Sequence, residues 1–210
     1  MKAYQYYLFD FDGTLFDSIR SSEYVFSEAY KSIGITIKKE DVLGYTREPI
    51  PDSYNRLNAP MEKWDAFAAE ILRLVNSDKS VELTDIFPDT YDTLLDLKMS
   101  EANLAIVTSN NVKHVKDILK KFDMLDMFFD VLIGNEEAPV PKPDPMPINK
   151  AIEKFKYKGD KSDIVYVGDS MNDVIAAHAA GVDAVLLDRD NEYPDSPDYF
   201  KIKSLKELLY

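Results

Sequence analysis

The chain contains no cysteine, which removes disulfides, thiolate metal sites and cysteine nucleophiles in one step. Histidine is nearly as scarce: His114 and His178 are the only two, too few for a histidine-built metal cage. Seven glycines spell neither a Walker pattern nor GxGxxG, so nucleotide cradles of those kinds are excluded. No apolar run approaches the roughly 20 residues a membrane helix needs. The N-terminal MKAYQYYLFDFDG turns acidic before an apolar signal segment can form, so a cytoplasmic protein is expected. Basic runs are missing too. A formal net charge of −13 should repel nucleic acid and anionic membranes, because gripping a phosphate backbone needs a basic stripe. Small phosphorylated metabolites are not excluded, since local donors and metal, not net charge, hold them.

What remains is an ordinary globular composition, 45% hydrophobic and 30% charged, unlike that of a disordered chain. Its 210 residues suit one substantial domain, or a core with a smaller insertion. Monomer and homodimer are equally compatible with it.

Short apolar runs at 4–11, 103–107, 129–133, 163–167 and 183–187 are each bounded by Gly, Asn or Asp and read as buried strands. Helical stripes lie between the later ones: Val112, Val115, Ile118, Leu119, Phe122; then Ile148, Ala151, Ile152, Phe155; then Val174, Ile175 and His178, ending near Gly181. Continuous apolar strands alternating with helices argue a parallel sheet covered on both faces. About 90 residues separate the first two strands, far more than a βα unit requires. That stretch carries helical periodicity instead, through Phe26, Ala29, Tyr30 and Ile33, and through Trp64, Phe67, Ala68, Ile71, Leu72 and Val75. The expected fold is α/β: a doubly wound, Rossmann-like parallel core over residues 1–16 and 86–210, with an all-helical cap inserted at 17–85.

In an open parallel sheet, ligands bind beyond the carboxyl ends of the strands. The residues placed there are Asp10 and Asp12, then Thr108, Ser109 and Asn110, then Lys142, then Asp169 and Asp173. Two like charges about 4 Å apart repel by roughly 4 kcal/mol at an effective dielectric near 20. Several carboxylates at one edge therefore need a cation or must protonate. Hard oxygen ligands with no histidine or thiolate point to Mg²⁺.

The run Asp10-Phe11-Asp12-Gly13-Thr14 resembles the DxDGT motif of haloacid dehalogenase-type phosphatases. Thr108, the Lys142-Pro143-Asp144-Pro145 segment and Gly168-Asp169-Ser170-x-x-Asp173 resemble that family's later motifs, in order. The resemblance runs from residue 10 to 181, and a cap-sized insertion after the first motif is also typical, with phosphoglycolate phosphatase-like members sharing the layout. It implies that Asp10 attacks phosphorus to form an aspartyl phosphate, and that Asp12 protonates the leaving oxygen and then activates water. Thr108, with Ser109 or Asn110, would hold phosphoryl oxygens, and Lys142 would neutralise charge on nucleophile and phosphate. Mg²⁺ would be bound by the Asp10 carboxylate, the Asp12 carbonyl and Asp169, with Asp173 orienting that shell or binding through water.

The acid at position 12 argues against dehalogenases, which have no alkoxide to protonate. A sugar phosphomutase of the β-phosphoglucomutase kind keeps that acid and is the nearest rival, although Ser21, Ser22 and Glu23 stand where its cap histidine is usual. A phosphate-binding module without turnover is the other rival. Elsewhere the expectations are bland: His178 packed on an apolar face, His114 solvated, and the Trp64 stripe as cap core. Arg47 and Arg56 share a cap loop with Tyr45 and Tyr54, and Arg47 is the candidate substrate contact.

Overall fold

A computed structural model of the chain describes residues 2–46, 49–124 and 127–210. The chain divides into two compact units, one of Met1–Phe16 with Ile86–Tyr210 and the other Asp17–Asp85.

The chain opens with β1 (Tyr6–Phe9) and leaves the first unit through the two-residue strand β2 (Phe16–Asp17). Helices α1 (Ile19–Ser32), α2 (Val42–Thr46), α3 (Ile50–Arg56), α4 (Trp64–Val75) and α5 (Asp78–Glu82) follow. The return is β3 (Asp85–Ile86), paired with β2 as a minimal ribbon. Then come α6 (Thr90–Met99), β4 (Asn103–Val107), α7 (Val112–Lys121), β5 (Val131–Ile133), α8 (Met146–Phe155), β6 (Ile164–Gly168), α9 (Met171–Ala180), β7 (Asp183–Leu187) and β8 (Phe200–Ile202).

Among the described residues, six strands form one parallel sheet in the order β5-β4-β1-β6-β7-β8. After β1 the chain winds outward through β4 and β5, then returns to wind the other way through β6, β7 and β8. The switch point is therefore at β1, between β4 and β6, where side chains beyond the strand ends converge. Strand alternation sets the two faces. Leu8, Ala105, Val107, Ile133, Ile164, Tyr166 and Leu186 bury one face against Ile148, Ala151 and Ile152 of α8 and Val174 and Ala177 of α9. The alternate residues Tyr7, Phe9, Leu104, Ile106, Val165 and Val167 are buried as well, as a doubly covered sheet requires.

Three of the five expected strands shorten or shift, and β4 and β7 keep the expected bounds. The sixth, β8, was not anticipated: Phe200-Lys201-Ile202 is three residues long and passes from exposed to buried along its length, so no apolar run announces it. In α9 the inward stripe runs through Val174, Ala176, Ala177 and Ala180, whereas Ile175 and His178 are exposed. The small alanines carry the packing face, so the bulkier residues misassign it.

The helical unit packs α1 against α4 around an aromatic cluster. Phe67 meets Tyr30 at 4.6 Å and Tyr54 at 4.9 Å between ring centroids. Buried phenols need partners: the Tyr54 hydroxyl donates to the Pro60 carbonyl at 2.6 Å, and Tyr30 lies 3.3 Å from the Ser53 hydroxyl. Tyr45 and Tyr54 thus sit in helices and in the core, not in a loop, with the Arg56 guanidinium 4.9 Å over the Tyr45 ring.

Candidate active site

β1 ends at Phe9, whose rung partners are Ile106 on β4 and Val167 on β6, so Asp10 emerges at the centre of the carboxyl edge. Its N–H still donates to the Val167 carbonyl at 2.9 Å, and its side chain is buried. The chain then closes a tight turn. The N–H groups of Leu15 and Phe16 both donate to the Phe11 carbonyl at 3.0 Å, and Gly13 N–H donates to the Phe16 carbonyl at 2.8 Å. Gly13 has φ +77, and a Cβ there would lie 2.5 Å from Asp169 Oδ2. Only glycine permits both the left-handed backbone and the approach of the β6 carboxylate.

Lys142, on the loop after β5, is buried and reaches back to this edge. Its Nζ donates to Asp10 Oδ1 at 2.6 Å and to the Tyr166 hydroxyl at 2.9 Å, and lies 2.7 Å from Asp173 Oδ1. Tyr166 in turn donates to the Val107 carbonyl at 2.9 Å. Sequence reading missed Tyr166 because a tyrosine inside an apolar strand reads only as core; its partner is 24 residues away. Asp173 lies in the first turn of α9, and its Oδ2 accepts from the Ser170 N–H at 3.0 Å and hydroxyl at 2.6 Å. A Cβ on Gly168 would overlap the Asp173 carboxyl, so this glycine too makes room for the site.

Beyond β4, Thr108 is buried and its Oγ1 accepts from the Asn110 N–H at 3.1 Å. Asn110 Nδ2 donates to Asp12 Oδ2 at 3.2 Å, tying this loop to the first motif. Ser109 is exposed. Arg47 lies outside the described residues. His114 is buried, not solvated: it stands in the first turn of α7, where the Asn111 side chain caps its N–H at 2.8 Å. Burial pulls the His114 pKa down, against the opposing charge of Asp12.

Oxygens of Asp10, Asp169 and Asp173 lie within 4.8 Å of one another. Burial works against the charge of Lys142, but Asp10 and Asp173 outweigh it and hold the ammonium well above the usual lysine range. Burial pushes Asp10 upward, against the pull of Lys142, and the Asp173 and Asp169 carboxylates push the same way. Lys142 is held as an ammonium because two carboxylates lie against it. Asp10 is thus displaced upward first by burial and then by its neighbouring carboxylates, and a divalent ion held there would oppose both. Asp173 Oδ1 is buried and engaged by the Lys142 ammonium at 2.7 Å, so one cation is shared between two carboxylates. Three carboxylates with no soft donor fit a hard divalent cation.

Polar groups from three adjacent strand ends, spread over the length of the chain, thus meet at the switch point of a doubly wound sheet. A family model described as haloacid dehalogenase-like hydrolase matches residues 7–187, most of the chain. The chain belongs to the haloacid dehalogenase-like hydrolases. As a member of that family it is an enzyme. Among similar proteins is the pyrophosphatase PpaX of Bacillus velezensis, 32% identical over 176 residues, covering 83% of this chain and 78% of the relative. Another is the phosphoglycolate phosphatase of Vibrio cholerae, 30% identical over 190 residues, covering 86% and 83%. In fold, a haloacid dehalogenase-like family hydrolase from Streptococcus pneumoniae superimposes with a TM-score of 0.83 over 100% of this chain and 99% of that one, at 21% identity. No helix among the described residues is long and apolar enough to cross a membrane.

Proposed function

We propose that this hydrolase is a Mg²⁺-dependent phosphatase that cleaves a small phosphate monoester through a phosphorylated Asp10. The observation that carries the reading is the pairing of two aspartates with different surroundings. Asp10 is buried against Lys142, whereas Asp12, two residues on, is half-buried and held by a neutral amide. A nucleophile and an acid/base need such divergent environments.

In this reading the Asp10 carboxylate attacks phosphorus while the ester oxygen departs, taking a proton from Asp12. Water, deprotonated by Asp12, then attacks the acyl phosphate and regenerates Asp10. Lys142, fixed by Tyr166, offsets charge on the nucleophile and on the phosphoryl oxygens. Thr108 and Asn110 offer donors to those oxygens, with exposed Ser109 beside them. Mg²⁺ would be held by Asp10, Asp169 and the Asp12 carbonyl, with Asp173 direct or through water. Bound there, it would neutralise the carboxylate cluster and polarise the phosphoryl group. Residues 17–85 are read as the cap that selects the substrate.

The relatives' names divide between an anhydride substrate and an ester, so both belong in the test. Phosphate release from phosphoglycolate, sugar phosphates, nucleotides and pyrophosphate is measured with and without Mg²⁺, beside Asp10→Asn. Mg²⁺-dependent release by the wild type alone supports the mechanism. No release from any of them, or equal release by the variant, sinks it. Feeding a hexose 1-phosphate and recovering its 6-phosphate would show a mutase instead.

A further inference from the structure

The turn that carries Asp12 is gripped from outside by an ion pair with no place in the reaction just described. Arg189, two residues past β7, forks onto Asp89: Nη1 donates to Oδ2 at 2.9 Å and Nη2 to Oδ1 at 3.0 Å. The same Nη2 donates to the carbonyl of Thr14 at 3.1 Å. The guanidinium lies 4.0 Å over the Phe87 ring, so its plane is fixed. Asp89 is anchored in turn by the Ser204 hydroxyl at 2.7 Å and the Leu205 N–H at 2.9 Å. The adjacent carbonyl, Leu15, receives the Thr90 hydroxyl at 2.8 Å.

Inside the turn, Asp12 is bridged to Phe16, and among the described residues its backbone is tied to the sheet only through the bonds around Phe11 and Gly13. The position of its carboxyl therefore follows that of the turn. Thr14 is wholly buried, so a carbonyl deprived of Arg189 would have no water to turn to and would drag the turn with it.

We propose that Arg189, anchored by Asp89, is a positioning residue for the general acid: it holds the Thr14 carbonyl so that Asp12 meets the leaving oxygen. The proposal rests on the reading of Asp12 as that acid. A bare structural pair would lower every activity alike. A misplaced acid instead penalises esters whose leaving group needs a proton.

The discriminating pair of probes is p-nitrophenyl phosphate, whose leaving group departs unprotonated, and phenyl phosphate, whose leaving group is much more basic. The ratio of their kcat/KM values is blind to the fraction of folded enzyme, because the same molecules read both. In Asp12→Asn the ratio should rise about a hundredfold in favour of the nitrophenyl ester, the scale of general-acid assistance. In Arg189→Met it should rise about tenfold, as expected of sub-ångström to ångström misplacement. Arg189→Lys, which has no fork to serve Asp89 and Thr14 together, should fall between wild type and Met. A ratio raised in Asp12→Asn but unchanged in both Arg189 variants overturns the positioning role alone. An unchanged ratio in Asp12→Asn overturns the acid assignment, and the inference with it.

Discussion

The sheet unit buries charged side chains, Asp10, Asp89, Lys142, Asp173 and Asp188, whereas among the described residues the helical unit buries polar groups only as the hydroxyls of Ser18, Ser21, Ser53, Ser80, Thr84 and its tyrosines. The difference is one of tolerance. A buried charge is costly unless its partners are fixed, and each of these has them. Lys142 meets Asp10, Tyr166 and Asp173; Asp89 meets Arg189, Ser204 and Leu205. Asp188 accepts the N–H groups of Glu192 at 2.8 Å and Tyr193 at 3.0 Å. The helical unit closes its smaller polar accounts pairwise, as in Ser21 with Ser80 at 2.7 Å, and relies on rings for the rest. One unit is built to hold charge in place, the other to hold itself together.

The contrast breaks if exchanging the perturbation does not exchange the symptom. Lys142→Met should lower kcat about a thousandfold at saturating Mg²⁺, since it removes the cation facing Asp10, the proposed nucleophile. Phe67→Ala, in the aromatic cluster, should instead cost about 3–5 kcal/mol of stability by urea unfolding. Turnover of p-nitrophenyl phosphate per folded molecule should be retained. A Phe67→Ala protein that is stable but inactive would erase the division.

A smaller effect sets the Asp89–Arg189 pair of the sheet unit apart from the Lys142 cluster. Burial alone would raise the Asp89 pKa, but bonds from Arg189, Ser204 and the Leu205 backbone outweigh it and hold the carboxyl below its usual range. The stability that its ionised form contributes is therefore complete above the unfolded carboxylate value of about 4 and is lost as pH falls through the folded value. Asp89→Asn should destabilise by about 3 kcal/mol at pH 7, leaving Arg189 charged and poorly paired. That gap should close progressively below about pH 4 in urea midpoints taken over a pH series. A gap that stays constant into acid would mean Asp89 contributes by shape, not charge.

The carboxyl edge was legible because its residues are polar where a buried strand ends. Asp10, Thr108 and Asp169 each interrupt an apolar run, and chemistry alone then asks for a cation. Tyr166 and Arg189 were not legible: one sits within an apolar strand and the other in a loop, and their partners are distant in sequence. The two histidines exchanged places with their expected environments for a related reason. His114 is drawn inward by the capped start of α7, and α9 turns its alanines inward and His178 out. Size and polarity at single positions do not say which way a helix faces when small residues do the packing.

The same rule produces the smallest and most exact test. The spacing of Trp64, Phe67, Ala68, Ile71, Leu72 and Val75 places Leu72 on the inner face, but in α4 it is Leu74 that is buried, at 1%, and Leu72 that stands 59% exposed. Two leucines, two positions apart, are thus separated by about 200° around the helix. Leu72→Gln should move unfolding free energy by no more than about 0.5 kcal/mol, as surface changes do. Leu74→Ala should cost about 2–5 kcal/mol, because its neighbours close only partly over the space it leaves. Were the two reversed, the helix would be rotated from its place here, and the aromatic cluster that distinguishes this unit from the sheet unit would have to be drawn anew around Leu72.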